Sequence, residues 1–213
     1  MNKIIYSVGY MFVIALFFTS LVSTVKLTNE DRIKRNQEVK LQKTVLRVLG
    51  INDKKATAPK DLFKLYYDRI NTITLGNRDI YVGYGEDGKT IIGYAFQVNG
   101  PGFWGPIHAM VAIDSNASRI ISISFYKHSE TPGLGARITE DWFTRQFSGL
   151  PLFPREDNIK IFYLSPEKSG KTSNDLDAIT GASRTSDAVE SFLNNELDLF
   201  LKEFWNLLKE GQK

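Results

Sequence analysis

The chain contains no cysteine and only two histidines, His108 and His128. The first absence removes disulfides, iron–sulfur ligation, thiol nucleophiles and cysteine-type zinc sites. It leaves the redox compartment open. No carboxylate–histidine spacing typical of a metal site accompanies the two histidines, so no metal centre and no catalytic acid–base pair is expected. Charge of one sign is also lacking: 27 basic against 24 acidic side chains give +3. With no basic stripe interleaved with aromatics, nucleic acid is not an expected partner. Internal repeats and low-complexity segments are missing as well. The remaining composition, 42% hydrophobic and 24% charged over 213 residues, is that of a globular chain.

One long apolar run is present. Residues 4–25 (IIYSVGYMFVIALFFTSLVSTV) carry no charge, and about 20 such residues span the ~30 Å hydrocarbon core of a bilayer. The run is longer than the roughly 7–15 residues of a signal-peptide core, and no A-x-A-like cleavage site follows it. The sequence therefore predicts a retained transmembrane anchor over residues 1–26. Lys26, Arg32, Lys34, Arg35, Lys40 and Lys43 follow the span, while Lys3 alone precedes it. Read literally, the positive-inside rule leaves the main domain in the cytoplasm.

Beyond the anchor, residues 28–49 have helical apolar spacing and end at Gly50, a C-cap signal. They belong to an expected connecting helix, 27–55. A short helix is expected over 59–70. Residues 80–84 and 90–98 read as a hairpin about the Asp87-Gly88 turn, and 107–114 with 119–125 as a second strand pair. Val82, Tyr84, Ile92, Tyr94 and Phe96 alternate as one face of a half-buried antiparallel sheet does. A short helix around Trp142, Phe143 and Phe147, a strand over 158–164 and an amphipathic helix over 187–208 complete the reading. The expected class is α+β: an antiparallel sheet with flanking helices in one domain, 56–213, preceded by one transmembrane helix.

Three loops carry unusual residue sets. The first, G-P-G-F-W-G-P over 100–106, is either an interstrand turn with a core tryptophan or an aromatic wall for a planar ligand, built from Phe103 and Trp104. The second, H-S-E-T-P-G-L-G over 128–135, can expose consecutive backbone N–H groups, which bind anions or electron-rich ring edges. It does not fit a dinucleotide fingerprint in spacing or context. His128 is read as a hydrogen-bonding fixture. The third, D-A-I-T-G-A-S-R-T-S-D-A-V over 177–189, can cap the last helix through Thr185, Ser186 or the Asp187/Glu190 pair. The same stretch suits a phosphate: a helix N-terminus offers unpaired N–H groups, Gly181-Ala182 leaves room, and Thr180, Ser183 and Thr185 supply hydroxyls.

Together and in this order, the anchor, the helix after it, G-F-W-G, E-T-P-G-L-G (130–135) and D-A-I-T-G-A-S (177–183) resemble the FMN-binding domain family. That family includes the G subunit of Rnf electron-transport complexes and the C subunit of the sodium-translocating NADH:quinone reductase. The resemblance implies FMN held by a phosphoester bond to the last hydroxyl residue of the D-x-x-[ST]-G-A-[ST] pattern, installed by a flavin transferase. By position that residue is Ser183, framed by Asp177, Thr180, Gly181 and Ala182. Threonine is commoner there, and Thr185 is the alternative acceptor. The resemblance further places Glu130, Thr131, Pro132, Gly133, Leu134 and Gly135 against the flavin, with Phe103 or Trp104 stacking near its ring. It implies an electron-transfer subunit, rather than an enzyme on its own, in an ion-translocating complex of the cytoplasmic membrane. It also implies a soluble domain outside the cytoplasm, against the charge count. A stand-alone extracytoplasmic FMN carrier and a flavin-free anchored binding module are the competing readings.

Overall fold

The computed structural model describes residues 2–51, 58–152, 160–165 and 174–210. The chain divides into two compact units, Met1–Leu41 and Gln42–Lys213. The first is most of one helix, α1 (Asn2–Val48). Its apolar side chains from Ile4 to Leu27 are exposed. By length and composition it is long and apolar enough to cross a membrane. Over residues 4–25 its rise of ~1.5 Å per residue gives about 33 Å. Thr24 and Thr28 return their hydroxyl protons to the carbonyls of Ser20 and Thr24, each at 2.8 Å. These bonds satisfy the two side chains within the helix itself.

The second unit begins with the last turns of α1, where Gln42, Thr44, Val45, Leu46 and Val48 are buried. Gly50, at φ 70°, ends the helix. The Ile51 amide donates to Leu46 O (2.9 Å) and the Gly50 amide to Arg47 O (3.0 Å), the two bonds of a Schellman stop. Helix α2 (Pro59–Arg69) opens on proline at its first position, and Asp61 accepts the Ala58 amide at 3.4 Å.

Five antiparallel strands follow in meander order: β1 (Ile70–Leu75), β2 (Arg78–Tyr84), β3 (Ile91–Pro101), β4 (Pro106–Asp114) and β5 (Ile120–Lys127). Ile92 falls at the register shift beside Gly83 and lines a cavity with Leu49. The pairs Ile80↔Phe96 and Val82↔Tyr94 put their four residues on one face, so Val82, Tyr94 and Phe96 keep the expected alternation. Helix α4 (Ser183–Glu210) covers that face: Phe200 stacks on Phe96 with ring centres 3.6 Å apart, and Phe204 meets Tyr94 at 4.8 Å. A short 3-10 turn (Gly135–Thr139) and α3 (Asp141–Arg145) add Ile138 and Phe143 to this core.

Several expectations are revised. The sheet is not half-buried. Tyr81, Ala95, Met110 and Ala112, on the opposite face, are buried too. The end of α1 lies there: Ser122 Oγ donates to Val48 O (3.0 Å), and Leu49 occupies the space a Cβ on Gly83 would need. Strand β1 is not among the expected elements, although its β-branched Ile and Thr and the Gly76-Asn77 pair that joins it to β2 are strand and hairpin signals; its mostly exposed residues lack a clean apolar alternation. Of the strand expected over 158–164, Asn158 and Ile159 lie outside the described residues. The strand found is β6 (Tyr163–Ser165), which pairs in parallel with β7 (Asp175–Asp177). The last helix starts at Ser183, four positions before the expected Asp187. Glu190 therefore caps nothing; its carboxylate accepts the Leu164 amide and pairs with Lys160. The side chain of Leu208 is outside the described residues.

Candidate functional site

The three loops singled out from sequence converge at one end of the sheet. Strands β3 and β4 stay paired through Gly100↔Ile107 and Pro101↔Pro106, and the Gly102 amide closes the tip on Gly105 O at 2.9 Å. The G-P-G-F-W-G-P stretch is thus the tip of a long hairpin. Trp104 is 65% exposed and Phe103 45%, so neither is a core residue. The two rings meet edge to face at 4.9 Å.

The second loop leaves β5 and turns at Thr131, whose carbonyl accepts the amides of both Leu134 and Ala136 at 3.1 Å. Thr131, Pro132, Gly133 and Leu134 form its exposed tip, with Gly133 at φ 75°. Glu130 is different. It is 4% exposed, and its two oxygens tie the other loops together. Oε1 accepts the Trp104 amide at 3.0 Å, and Oε2 accepts the Thr185 hydroxyl at 2.6 Å. Its own amide donates to His128 Nδ1 at 3.2 Å, which gives that histidine its fixture role. A Cβ on Gly102 would stand 2.6 Å from Oε1, and one on Gly135 2.7 Å from Oε2 and 2.5 Å from Thr185 Oγ1. Glycine is required at both positions to admit the carboxylate.

The third loop is held from beneath. The Gln146 side chain brackets the Asp177 backbone, accepting its N–H at 2.7 Å and donating to its carbonyl at 3.2 Å. Ser186 Oγ accepts the Ile179 amide at 3.0 Å, and the Ser186 amide closes the first helical bond on Ala182 O at 3.0 Å. Gly181 turns the chain at φ 81°, and Leu134 of the second loop packs 3.5 Å from where its Cβ would be. Ala182 is buried in the helix-capping position, while Thr180 and Ser183 are exposed. Being the first residues of α4, Ser183, Arg184 and Thr185 have amides without an intrahelical acceptor, at the positive end of the helix dipole.

The hydroxyls thus separate. Ser183 faces outward at the helix start, and Thr185 is 2% exposed and spent on Glu130. Sequence reasoning passed over Arg184, whose guanidinium lies 5.4 Å from the centre of the Phe103 ring. Its place directly after the D-A-I-T-G-A-S run, beside a candidate phosphate site, was the available signal. A cation, free amides and exposed hydroxyls suit a phosphate, and Phe103, Trp104 and Leu134 suit a flat apolar ring. The residues present therefore fit a flavin mononucleotide. A separate cavity of about 680 Å3, lined by Leu49, Asp61, Lys64, Leu65, Arg69 and Glu86 among others, shares no residue with these loops.

Comparison with known proteins agrees with the resemblance read from the motifs. Residues 102–198 match the FMN-binding domain family. The C subunit of the Na(+)-translocating NADH-quinone reductase of Yersinia pestis is 31% identical over 116 residues, 54% of this chain and 43% of that protein. The G subunit of the ion-translocating oxidoreductase complex of Methanosarcina acetivorans is 35% identical over 118 residues, 55% of this chain and 56% of that protein. The match thus spans about half the length of these relatives. The crystal structure of the corresponding reductase C subunit from Parabacteroides distasonis superposes with a TM-score of 0.65 at 23% identity, covering 82% of this chain and 96% of that one. It shares the fold.

Proposed function

We propose, from the FMN-binding-domain match over residues 102–198, that this chain is the flavin-carrying electron-transfer subunit of a membrane-bound, ion-translocating oxidoreductase complex of the Rnf or Nqr kind. FMN supplies reversible one- and two-electron chemistry; the chain supplies attachment, orientation and local field. Ser183 is the attachment residue, its oxygen forming a phosphoester with FMN in a reaction catalysed by a flavin transferase. The free amides at the start of α4 and the Arg184 guanidinium neutralise the phosphate. Phe103, Trp104 and the Thr131–Leu134 tip flank the ring, while Asp177, Thr180, Gly181 and Ala182 form the frame the transferase reads. Residues 1–26 anchor the chain in the cytoplasmic membrane, 27–55 connect, and 56–213 form the flavin domain, on the extracytoplasmic side as in the family the motifs resemble.

The observation that supports Ser183 as the attachment residue is the sorting of hydroxyls, with Ser183 exposed at a helix N-terminus and Thr185 buried on Glu130. The test is co-expression with a flavin transferase, followed by a denaturing gel viewed for flavin fluorescence. The wild-type band is expected to fluoresce and the Ser183→Ala band to be dark. A dark wild-type band refutes covalent flavin. Fluorescence that survives Ser183→Ala and vanishes in Thr185→Ala moves the bond to Thr185.

A further inference from the structure

The T-G-A-S-R-T run offers more than one hydroxyl, and something must decide which is modified. Resting on the attachment reading above, we propose that Glu130 is the residue that sets this choice, by committing Thr185 to a buried hydrogen bond and leaving Ser183 as the acceptor. Ser183 and Thr185 are two positions apart at the start of α4, so their side chains point about 200° apart around the helix. One faces outward and one faces in. The inward one meets a carboxylate that is itself 4% exposed and fixed from its other oxygen by the Trp104 amide.

Two physical effects follow. Thr185 Oγ1 directs its proton to Glu130 Oε2 at 2.6 Å and is 2% exposed, so neither a transferase nor a phosphoryl donor can approach it. A phosphoester on Thr185 would also set its negative charge against the carboxylate across a poorly solvated contact, which is strongly unfavourable. Ser183 meets neither obstacle. The space for the carboxylate is built in, since a Cβ on Gly102 or Gly135 would overlap it.

The step itself is a substitution at phosphorus. The donor is a flavin dinucleotide, whose phosphoanhydride bond breaks as the Ser183 oxygen–phosphorus bond forms. Adenylate leaves, the serine proton passes to solvent, and no electron is transferred. Glu130 takes no part in that exchange; it acts through Thr185 and the position of the helix start.

The experiment uses the full chain co-expressed with a flavin transferase, and maps the flavin-bearing residue by peptide mass spectrometry. Wild type and Glu130→Gln are expected to carry flavin on Ser183 alone, because the amide can still accept from Trp104 and donate to the Thr185 hydroxyl. Glu130→Ala frees Thr185, and so does Glu130→Asp, whose shorter side chain cannot reach both partners. A charge-assisted hydrogen bond is worth a factor of about ten or more, so the Thr185 share should rise at least that much in both. In a Ser183→Ala background, label should return only in the Glu130→Ala or Glu130→Asp partner. A folded Glu130→Ala or Glu130→Asp chain, judged by its unfolding midpoint, that is labelled solely at Ser183 overturns the proposal. Loss of fold in both variants assigns Glu130 to the fold alone and overturns it as well. Unlabelled wild type refutes instead the attachment reading beneath it, so the two failures are distinct.

Discussion

Replacing Gly135 with alanine adds one methyl group at the most crowded point of the three-loop junction. That carbon would lie 2.5 Å from Thr185 Oγ1, 2.7 Å from Glu130 Oε2 and 3.1 Å from Glu130 Cβ, where ordinary contact begins at 3.4 Å. The hydroxyl and the carboxylate must retreat by roughly 0.7–0.9 Å between them and the new methyl, by difference from those distances. Both belong to one 2.6 Å bond that is buried on both sides, so retreat breaks it. Overpacking costs about 1–3 kcal/mol and a lost bond to a charged group about 1.5–3 kcal/mol. The two overlap, so the expected total is about 2–4 kcal/mol, or roughly 5–15 °C in unfolding midpoint for a chain of this size. Gly133→Ala is the control. Its φ of 75° strains alanine, but nothing lies within 4 Å of the new carbon, so it should cost only about 1–2 kcal/mol. Thermal unfolding of the full chain in detergent, followed by tryptophan fluorescence, measures both. Adding Thr185→Ala should shrink the Gly135→Ala penalty, because the methyl then finds space. The reasoning is refuted if Gly135→Ala costs no more than Gly133→Ala, or if its penalty is unchanged without the Thr185 hydroxyl.

Other consequences can be measured in the same way. Gly100→Ala would drive a Cβ into the Phe192 side chain of α4; separation of helix from sheet should cost about 1–3 kcal/mol or more and lower the urea midpoint. Asn194→Ala removes the acceptor of the Ile161 and Phe162 amides and the donor to Phe162 O. With those groups buried, a loss of about 2–4 kcal/mol is expected, and amide exchange at Phe162 should accelerate before that at the sheet centre. Phe200→Ala removes the ring stacked on Phe96 in a fully buried site and should cost about 3–5 kcal/mol in the same assay. The Asp87 carboxyl at the β2–β3 turn is lowered from 3.8 to about 2, first by the Thr90 hydroxyl and then by the Thr90 and Lys89 amides. Its ordering of the turn is therefore present above pH 3.8 and lost as pH falls through about 2. An NMR titration of the Thr90 amide with a midpoint near 3.8 would contradict this.

Periodicity makes some of the fold legible and leaves other parts blank. The alternation of Val82, Tyr94 and Phe96 locates one sheet face because an apolar core selects every second residue. It cannot foretell that the end of α1 covers the other face, since that depends on tertiary packing by Leu49 and Val48. Strand β1 escapes it because its residues are mostly exposed at the sheet edge; β-branched composition and the Gly76-Asn77 turn, not periodicity, mark INTITL as a strand. The start of α4 falls four residues before the expected one for a chemical reason. Ser, Thr and Asp are cap formers, yet here Thr185 and Ser186 lie inside the first turn and spend their hydroxyls on Glu130 and Ala182 O. The loop motifs bring together residues that the fold also brings together. Their roles come only with geometry: Glu130 reads as a loop residue in sequence and is a buried brace in the fold.

The first turn of α4 is fastened on several sides. Ser186 holds Ile179, Glu130 holds Thr185, and Glu190 and Asn194 grip the β6 segment farther along the same helix. A group bonded at Ser183 is therefore moored to a post rather than hung on a swinging arm. The linkage of such a group, rather than the turn beneath it, then sets how far it can reach.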